Sequence, residues 1–189
     1  MLKMEVIPMS ENESITLGGG CFWCLEAVYK QMDGVVSCVS GYMGGHLNNP
    51  TYKDICTGST GHAEVVQVTF NPSVTTLNEV LSVFFTIHDP TTLNRQGNDS
   101  GTQYRSVIFY HAESQQHVAR NLVAELDSSN IWDSPIVTEL APLTTFFPAE
   151  DYHQSYYFGN ANQSYCQFVV APKIIKFRDK FANKFRSFR

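Results

Sequence analysis

Cys21 and Cys24 are the side chains of this chain whose type and spacing point most directly to chemistry. They lie in Gly18-Gly19-Gly20-Cys21-Phe22-Trp23-Cys24-Leu25-Glu26, a glycine run leading into two thiols with two aromatics between them. Glycines permit a sharp turn and a close backbone approach. A helix starting at that turn would offer Cys21 unpaired N–H groups and the positive end of its dipole, so a lowered pKa and a reactive thiolate are expected there. A Cys-x-x-Cys pair has three meanings: a redox couple, half of a zinc site, or two buried thiols. The zinc meaning requires two more ligands, and Cys38, Cys56, Cys166 and the six histidines lack metal-like spacing.

Other candidates stand further along. Glu64 sits where a loop enters an apolar strand. Facing water it is ordinary; facing a pocket, desolvation would raise its pKa and let it donate a proton near neutrality. Tyr52 and Tyr104 lie at loop–strand boundaries, where a half-buried ring with a wet hydroxyl is the usual role. Asp99, in a Gly/Asn-rich loop, is by default a turn former. Phe22 and Trp23, beside the nucleophile, could wall an apolar pocket for a small methyl-bearing group.

The elements that must position these groups follow from periodicity. Ser14 to Leu17 reads as a strand, and Leu25, Val28, Tyr29 and Met32 mark a helix that Asp33-Gly34 ends. Val35 to Tyr42 is a second strand, 46–62 a long loop, and Ala63 to Phe70 a half-buried strand with Val66, Val68 and Phe70 in phase. Thr76 and Glu79 form a capping box ahead of a helix through Phe85, which stops at Asp89-Pro90. Residues 89–103 form a polar loop, Tyr104 to Tyr110 a strand, and Ala112 to Leu126 a helix. Ile136 to Phe147 is extended and interrupted by Pro142, 148–168 are irregular, and Ile174, Phe177, Phe181, Phe185 and Phe188 stripe a final helix. This order predicts an α+β two-layer sandwich: a mixed β-sheet with a ferredoxin-like core, plus a C-terminal helix.

With 189 residues and 43% hydrophobic content, the chain suits one globular domain, expected over 14–189 behind a flexible leader at 1–13. A net charge of −5 speaks against nucleic acid or a membrane surface as partner. Residues 172–189 carry seven of the thirteen Lys and Arg against one Asp, a basic helix face expected to lie in water. No apolar run is long enough to span a bilayer, and 1–13 lack the pattern of a signal peptide. A cytoplasmic location is the default, in which the five cysteines are reduced thiols or transient redox partners.

Several segments, in one order across residues 14 to 170, resemble the A class of peptide methionine sulfoxide reductases: Gly20-Cys21-Phe22-Trp23, Gly41-Tyr42-Met43-Gly44-Gly45, Asn49-Pro50-Thr51-Tyr52, Gly58 to Glu64, Gln96 to Ser106, and Phe147 to Gln154. The resemblance implies that Cys21 attacks the sulfur of methionine S-sulfoxide, protein-bound or free, and becomes a sulfenic acid. It implies Glu64 as proton donor, Tyr52 and Tyr104 as donors to the oxygen, Asp99 as orienter of that polar side, and Phe22 and Trp23 as walls around the S-methyl group. A second thiol then forms a disulfide that thioredoxin reduces. No cofactor or metal is implied, and a monomer is expected. Cys166 matches the family's resolving position, with Cys24 as the alternative. Ideal helical spacing of about 5–6 Å between β-carbons at Cys21 and Cys24 exceeds the roughly 3.5–4.5 Å that a disulfide needs. Cys38 and Cys56, in strand-like or packed contexts, are expected to be inert.

Overall fold

The strand ahead of the glycine run becomes the centre of a sheet. A computed structural model describes residues 11–186. Its first half runs β1 (Glu13–Gly18), α1 (Phe22–Tyr29), β2 (Val35–Met43), α2 (Tyr52–Cys56), β3 (Ala63–Phe70) and α3 (Leu77–Ile87). Then come β4 (Arg95–Gln96), β5 (Asp99–Ser100), β6 (Val107–Tyr110), α4 (Glu113–Ser128), β7 (Glu139–Pro142), β8 (Phe147–Pro148), α5 (Tyr156–Asn160) and α6 (Ala171–Lys180). The main sheet has the order β7-β6-β1-β3-β2-β8. Its inner four strands are antiparallel, with α1 and α3 as crossovers, which is the ferredoxin-like arrangement. Parallel pairing of β7 with β6 makes the sheet mixed.

Alternation in β3 decides which side chains meet the helices. Val66, Val68 and Phe70 join Ile15 and Leu17 against Leu25, Val28, Tyr29, Leu81, Phe84 and Phe177. Each fully buried Leu or Phe there contributes roughly 1.5–3 kcal/mol. The out-of-phase Ala63 and Val65 pack with Met43, Val107 and Phe109 on the opposite face. Glu64 is in phase with Val66, so its carboxyl points to the helical layer, at the end where α1 begins. Opposite that end, α3 is held by its capping box: the Glu79 N–H donates to Thr76 Oγ1 (3.2 Å) and the Thr76 N–H to Glu79 Oε2 (2.8 Å).

The structure departs from the expected elements where loops do the building. The 46–62 loop carries α2, started by its own capping box between Thr51 and Asp54. Residues 89–103 carry the β4–β5 hairpin, and Tyr104 ends a 3-10 turn ahead of β6 rather than lying in it. The stretch around Pro142 splits, β7 pairing with β6 at one sheet edge and β8 with β2 at the other. Residues 148–168 are not irregular: they hold α5 and enter a helical run over 164–180 that includes a π turn at Cys166–Val170. The final stripe breaks at Phe181, and Phe185 returns to bridge Met32. Phe188 and residues 1–10 of the expected leader lie outside the described residues, and Glu13 already belongs to β1.

Candidate active site

The turn from β1 to α1 sets the position of Cys21. Gly20 has φ +90, and a Cβ there would lie 2.6 Å from Gln96 Cγ. Gly19 lets Phe84 approach: a Cβ would stand 2.9 Å from its ring. Cys21 is the N-cap of α1, with φ −60 and ψ 127, so it is extended and outside the helix proper. The expected lowering of its pKa is not what the structure provides. Burial, with 8% of the residue exposed, pushes the Cys21 thiol well up, followed by its hydrogen bond with Cys24 and by the charge of Glu64. The Trp23 backbone N–H pulls the other way, as a helix start should, but desolvation outweighs it. Cys24, fully buried, is shifted down instead, first by the hydrogen bond from Cys21 and further by the Lys173 ammonium.

Glu64 is brought beside the nucleophile. Its Oε2 accepts the backbone N–H of Phe22 at 3.1 Å, one residue from Cys21. At 2% exposure, burial drives its pKa up to about 8, with the charges of Asp99 and Cys24 adding to the rise. The carboxyl therefore holds its proton at neutrality. Tyr52 and Tyr104 both sense the charge of Glu64, behind burial as the larger cause, and both phenols are held well above their ordinary range. They stay protonated and able to donate. Glu150 fixes the first of them: Oε1 accepts the Tyr52 backbone N–H (2.8 Å) and Oε2 the Tyr42 hydroxyl (2.9 Å), tying α2 to β2.

Asp99 is more than a turn former. Its Oδ2 accepts the Tyr165 hydroxyl at 2.6 Å, linking the β4–β5 hairpin to the residue before Cys166. Phe22 is 1% exposed, packed among Trp23, Tyr42 and His153, so it supports the aromatic surface from beneath. Trp23 is the half-buried member. It stacks on Tyr156 with centroids 3.7 Å apart and meets Tyr165 edge-on, and its Nε1–H donates to His153 Nδ1 (3.1 Å). Burial lowers the His153 pKa, which keeps that nitrogen an acceptor. A cavity of about 500 Å³ lies on the Asp99 and Tyr165 side, with Phe168, Pro172 and Lys173 in its wall. Cys166 is fully buried, its thiol pushed up by burial and then by the charge of Cys24. Of the remaining thiols, Cys38 is buried in β2, whereas Cys56 is exposed at the end of α2 and hydrogen-bonds Tyr52, not packed as expected. Among the described residues no three His, Cys, Asp or Glu side chains gather as metal ligands would.

All the candidates from Cys21 to Tyr104 thus converge at one end of the sheet. Sequence reasoning missed Tyr156, His153, Tyr165, Glu150 and Lys173 as participants. His153 and Glu150 stood in a quoted segment without a role. Lys173 was indistinguishable from the other tail cations, because only packing of α6 on α1 brings it to Cys24.

A thiol that must give up a proton, next to a carboxyl that still holds one, suits reduction of a substrate whose oxygen has to be protonated. The fold and this cluster of groups fit the class of α+β reductases. The chain matches the family model described as peptide methionine sulfoxide reductase over residues 13–185. Peptide methionine sulfoxide reductase MsrA of Polynucleobacter asymbioticus is 56% identical over 169 residues, 89% of this chain and 89% of that one. The reduced form of Mxr1 from Saccharomyces cerevisiae superposes with a TM-score of 0.78 at 40% identity, covering 82% of this chain and 90% of Mxr1. Mxr1 in complex with Trx2 gives 0.55 at 29% identity, covering 82% and 90%. The chain belongs to the peptide methionine sulfoxide reductase family, in its A class, and is an enzyme that reduces methionine sulfoxide.

Proposed function

We propose that the protein reduces methionine S-sulfoxide, in oxidised proteins and as the free amino acid, as a repair enzyme after oxidative damage. The observation carrying this mechanism is the protonated Glu64 carboxyl, bonded to the amide next to Cys21. Cys21 attacks the sulfoxide sulfur while Glu64 delivers its proton to the oxygen, and Tyr52 and Tyr104 donate hydrogen bonds to that oxygen. The oxygen ends on Cys21 as a sulfenic acid, methionine leaves, and the proton from the Cys21 thiol restores Glu64. Burial keeps Glu64 protonated, the nearby charge of Asp99 adds to that, and Asp99 anchors Tyr165. Phe22 and Trp23, with Tyr156 stacked behind, offer the aromatic wall for the S-methyl group.

The resolving step uses both candidate thiols. Cys24 is hydrogen-bonded to Cys21, and the extended backbone of Cys21 frees the pair from ideal helical spacing. Cys24 closes the first disulfide. Cys166, at the family's position and near Cys24, then attacks the Cys24 sulfur and releases the Cys21 thiol. Thioredoxin reduces the resulting disulfide, a reading supported by the complex of Mxr1 with Trx2. The enzyme acts as a cytoplasmic monomer with residues 14–189 as its single catalytic domain. Among the described residues no helix is long and apolar enough to cross a membrane.

The test is single-turnover reduction without reductant, followed by disulfide mapping. Cys21→Ser should form no methionine while keeping the wild-type fold; full activity would overturn the mechanism. Wild type should show Cys21–Cys24 before Cys24–Cys166. A Cys166→Ser variant should form a single methionine per chain and then stall with thioredoxin as reductant. Appearance of Cys21–Cys166 alone would remove Cys24 from the route.

A further inference from the structure

The cavity of about 500 Å³ beside Asp99 touches the nucleophile's turn from two directions. Gln96, in its wall, packs so closely on Gly20 that a Cβ there would stand 2.6 Å from its Cγ, one residue before Cys21. Tyr165, also in the wall, meets the Trp23 indole edge-on with centroids 5.9 Å apart and donates its hydroxyl to Asp99 Oδ2 at 2.6 Å. The cavity therefore continues from the aromatic surface that receives the S-methyl group. The helical run over 164–180 gives it an apolar side made of Phe168, Val169 and Pro172. Phe168 is 78% exposed, the highest value of the large apolar side chains among the described residues. A single exposed ring calls for no explanation; one that extends an apolar cavity wall beside a nucleophile does. Asp99 and Lys173 put one charge of each sign on the wall, so charge favours neither an acidic nor a basic occupant.

We propose that this cavity is a subsite for an apolar side chain adjacent in sequence to the methionine sulfoxide of an oxidised polypeptide, with Phe168 as a specificity-determining residue. Successive α-carbons are about 3.8 Å apart, so a chain whose S-methyl lies on Trp23 carries its neighbouring side chains to the adjoining cavity. The volume is within the range of pockets that enclose small ligands. Methionine is commonly a core residue, and its oxidation puts a polar group where packing was apolar, which disrupts the core and exposes the residues around it. An apolar neighbour is thus a feature that oxidised, loosened chains offer and the free amino acid lacks. Covering Phe168 with that neighbour removes apolar surface of both partners from water.

The inference rests on the reading that protein-bound methionine sulfoxide is a substrate, and the two are separable. Full-length wild type, Phe168→Ala and Phe168→Leu are each assayed in single turnovers without thioredoxin. The substrates are free methionine S-sulfoxide and capped peptides in which the S-sulfoxide is flanked by glycine alone, by leucine before it, or by leucine after it. In wild type the better leucine peptide should exceed the glycine peptide about tenfold in second-order rate constant. Phe168→Ala should cut that preference to about twofold, and Phe168→Leu should restore most of it, with the rate on free methionine S-sulfoxide the same in all three. A merely structural role for Phe168 would move every substrate alike. Equal rates for leucine and glycine peptides in wild type, or an undiminished leucine preference in Phe168→Ala, overturn the inference. So does a Phe168→Ala variant that is slowed only when thioredoxin sustains turnover, since the cavity then serves the reductant. If wild type reduces the free amino acid and none of the peptides, the underlying reading fails and the inference with it.

Discussion

Glu64 shows at the residue scale how burial turns a common carboxylate into an acid. Nothing bonds it strongly enough to keep it ionised: the Phe22 amide pulls its pKa down, but desolvation pushes harder, to about 8. In the proposed mechanism the protonated form is the active one, so the rate of sulfoxide reduction should fall as pH rises through about 8. Glu64→Gln keeps an acceptor for the Phe22 amide yet has no proton to give. It should lower the chemical step by about 10²–10⁴, without its falling limb at high pH, while Cys21 still alkylates. An unchanged single-turnover rate would remove Glu64 from the mechanism. Stability carries the same sign. A carboxyl whose pKa is raised by folding contributes stability below its unfolded value of 4.5, and that contribution is lost as pH rises through about 8. The melting temperature of Glu64→Gln should therefore gain on wild type as pH rises from 4.5 to about 8.

At the scale of elements, the site is a set of short pieces pinned by single contacts. The β1–α1 turn depends on Gly20, whose φ of +90 costs any other residue roughly 1–2 kcal/mol. Its neighbour Gln96 is not free to move aside. Gln96 bonds the backbone of Asp89 in both directions, as acceptor from the N–H and donor to the carbonyl, each at 3.0 Å. Gly20→Ala should lower stability by about 1–3 kcal/mol in urea unfolding and cut kcat by a larger factor than that loss explains, because Cys21 moves with the turn. Equal activity in the folded variant would show that the turn's conformation does not matter to the chemistry. The contacts of Glu150 to Tyr42 and Tyr52 do for α2 what the glycines do for α1.

The whole molecule raises a question of access. Cys24 and Cys166 are both fully buried, and Cys166 is itself part of the helical run over 164–180. A disulfide there is out of reach of another protein's thiol until that run shifts. Its π turn at Cys166–Val170 is the natural point of give, since π turns are rare single-turn interruptions of an α-helix. Hydrogen exchange should therefore quicken over 164–180 after one turnover without reductant and slow again when thioredoxin is supplied with its own reductant. Equal exchange in both redox states would place the reducible disulfide elsewhere. The long strands β1, β2 and β3 should keep their protection throughout.

Much of this molecule was already legible in the order of its residues. The alternation of Val66, Val68 and Phe70, the Thr76–Glu79 box and the glycine turn before Cys21 are local signals, and local backbone preference suffices to read them. The same phase also carried Glu64 to the core side, a clue that composition alone hid. What α2, the β4–β5 hairpin and α5 do was not legible, because these short elements are held by contacts from residues far along the chain. Protonation was decided by tertiary structure alone. The helix start that should have made Cys21 acidic is there, but the layers closing over it exclude water, and desolvation reverses the sign. Charge placement was decided in the same way: Lys173 is one more tail cation until α6 docks and sets it against Cys24. Sequence determined which groups are present and where the backbone turns; packing determined which of them hold their protons.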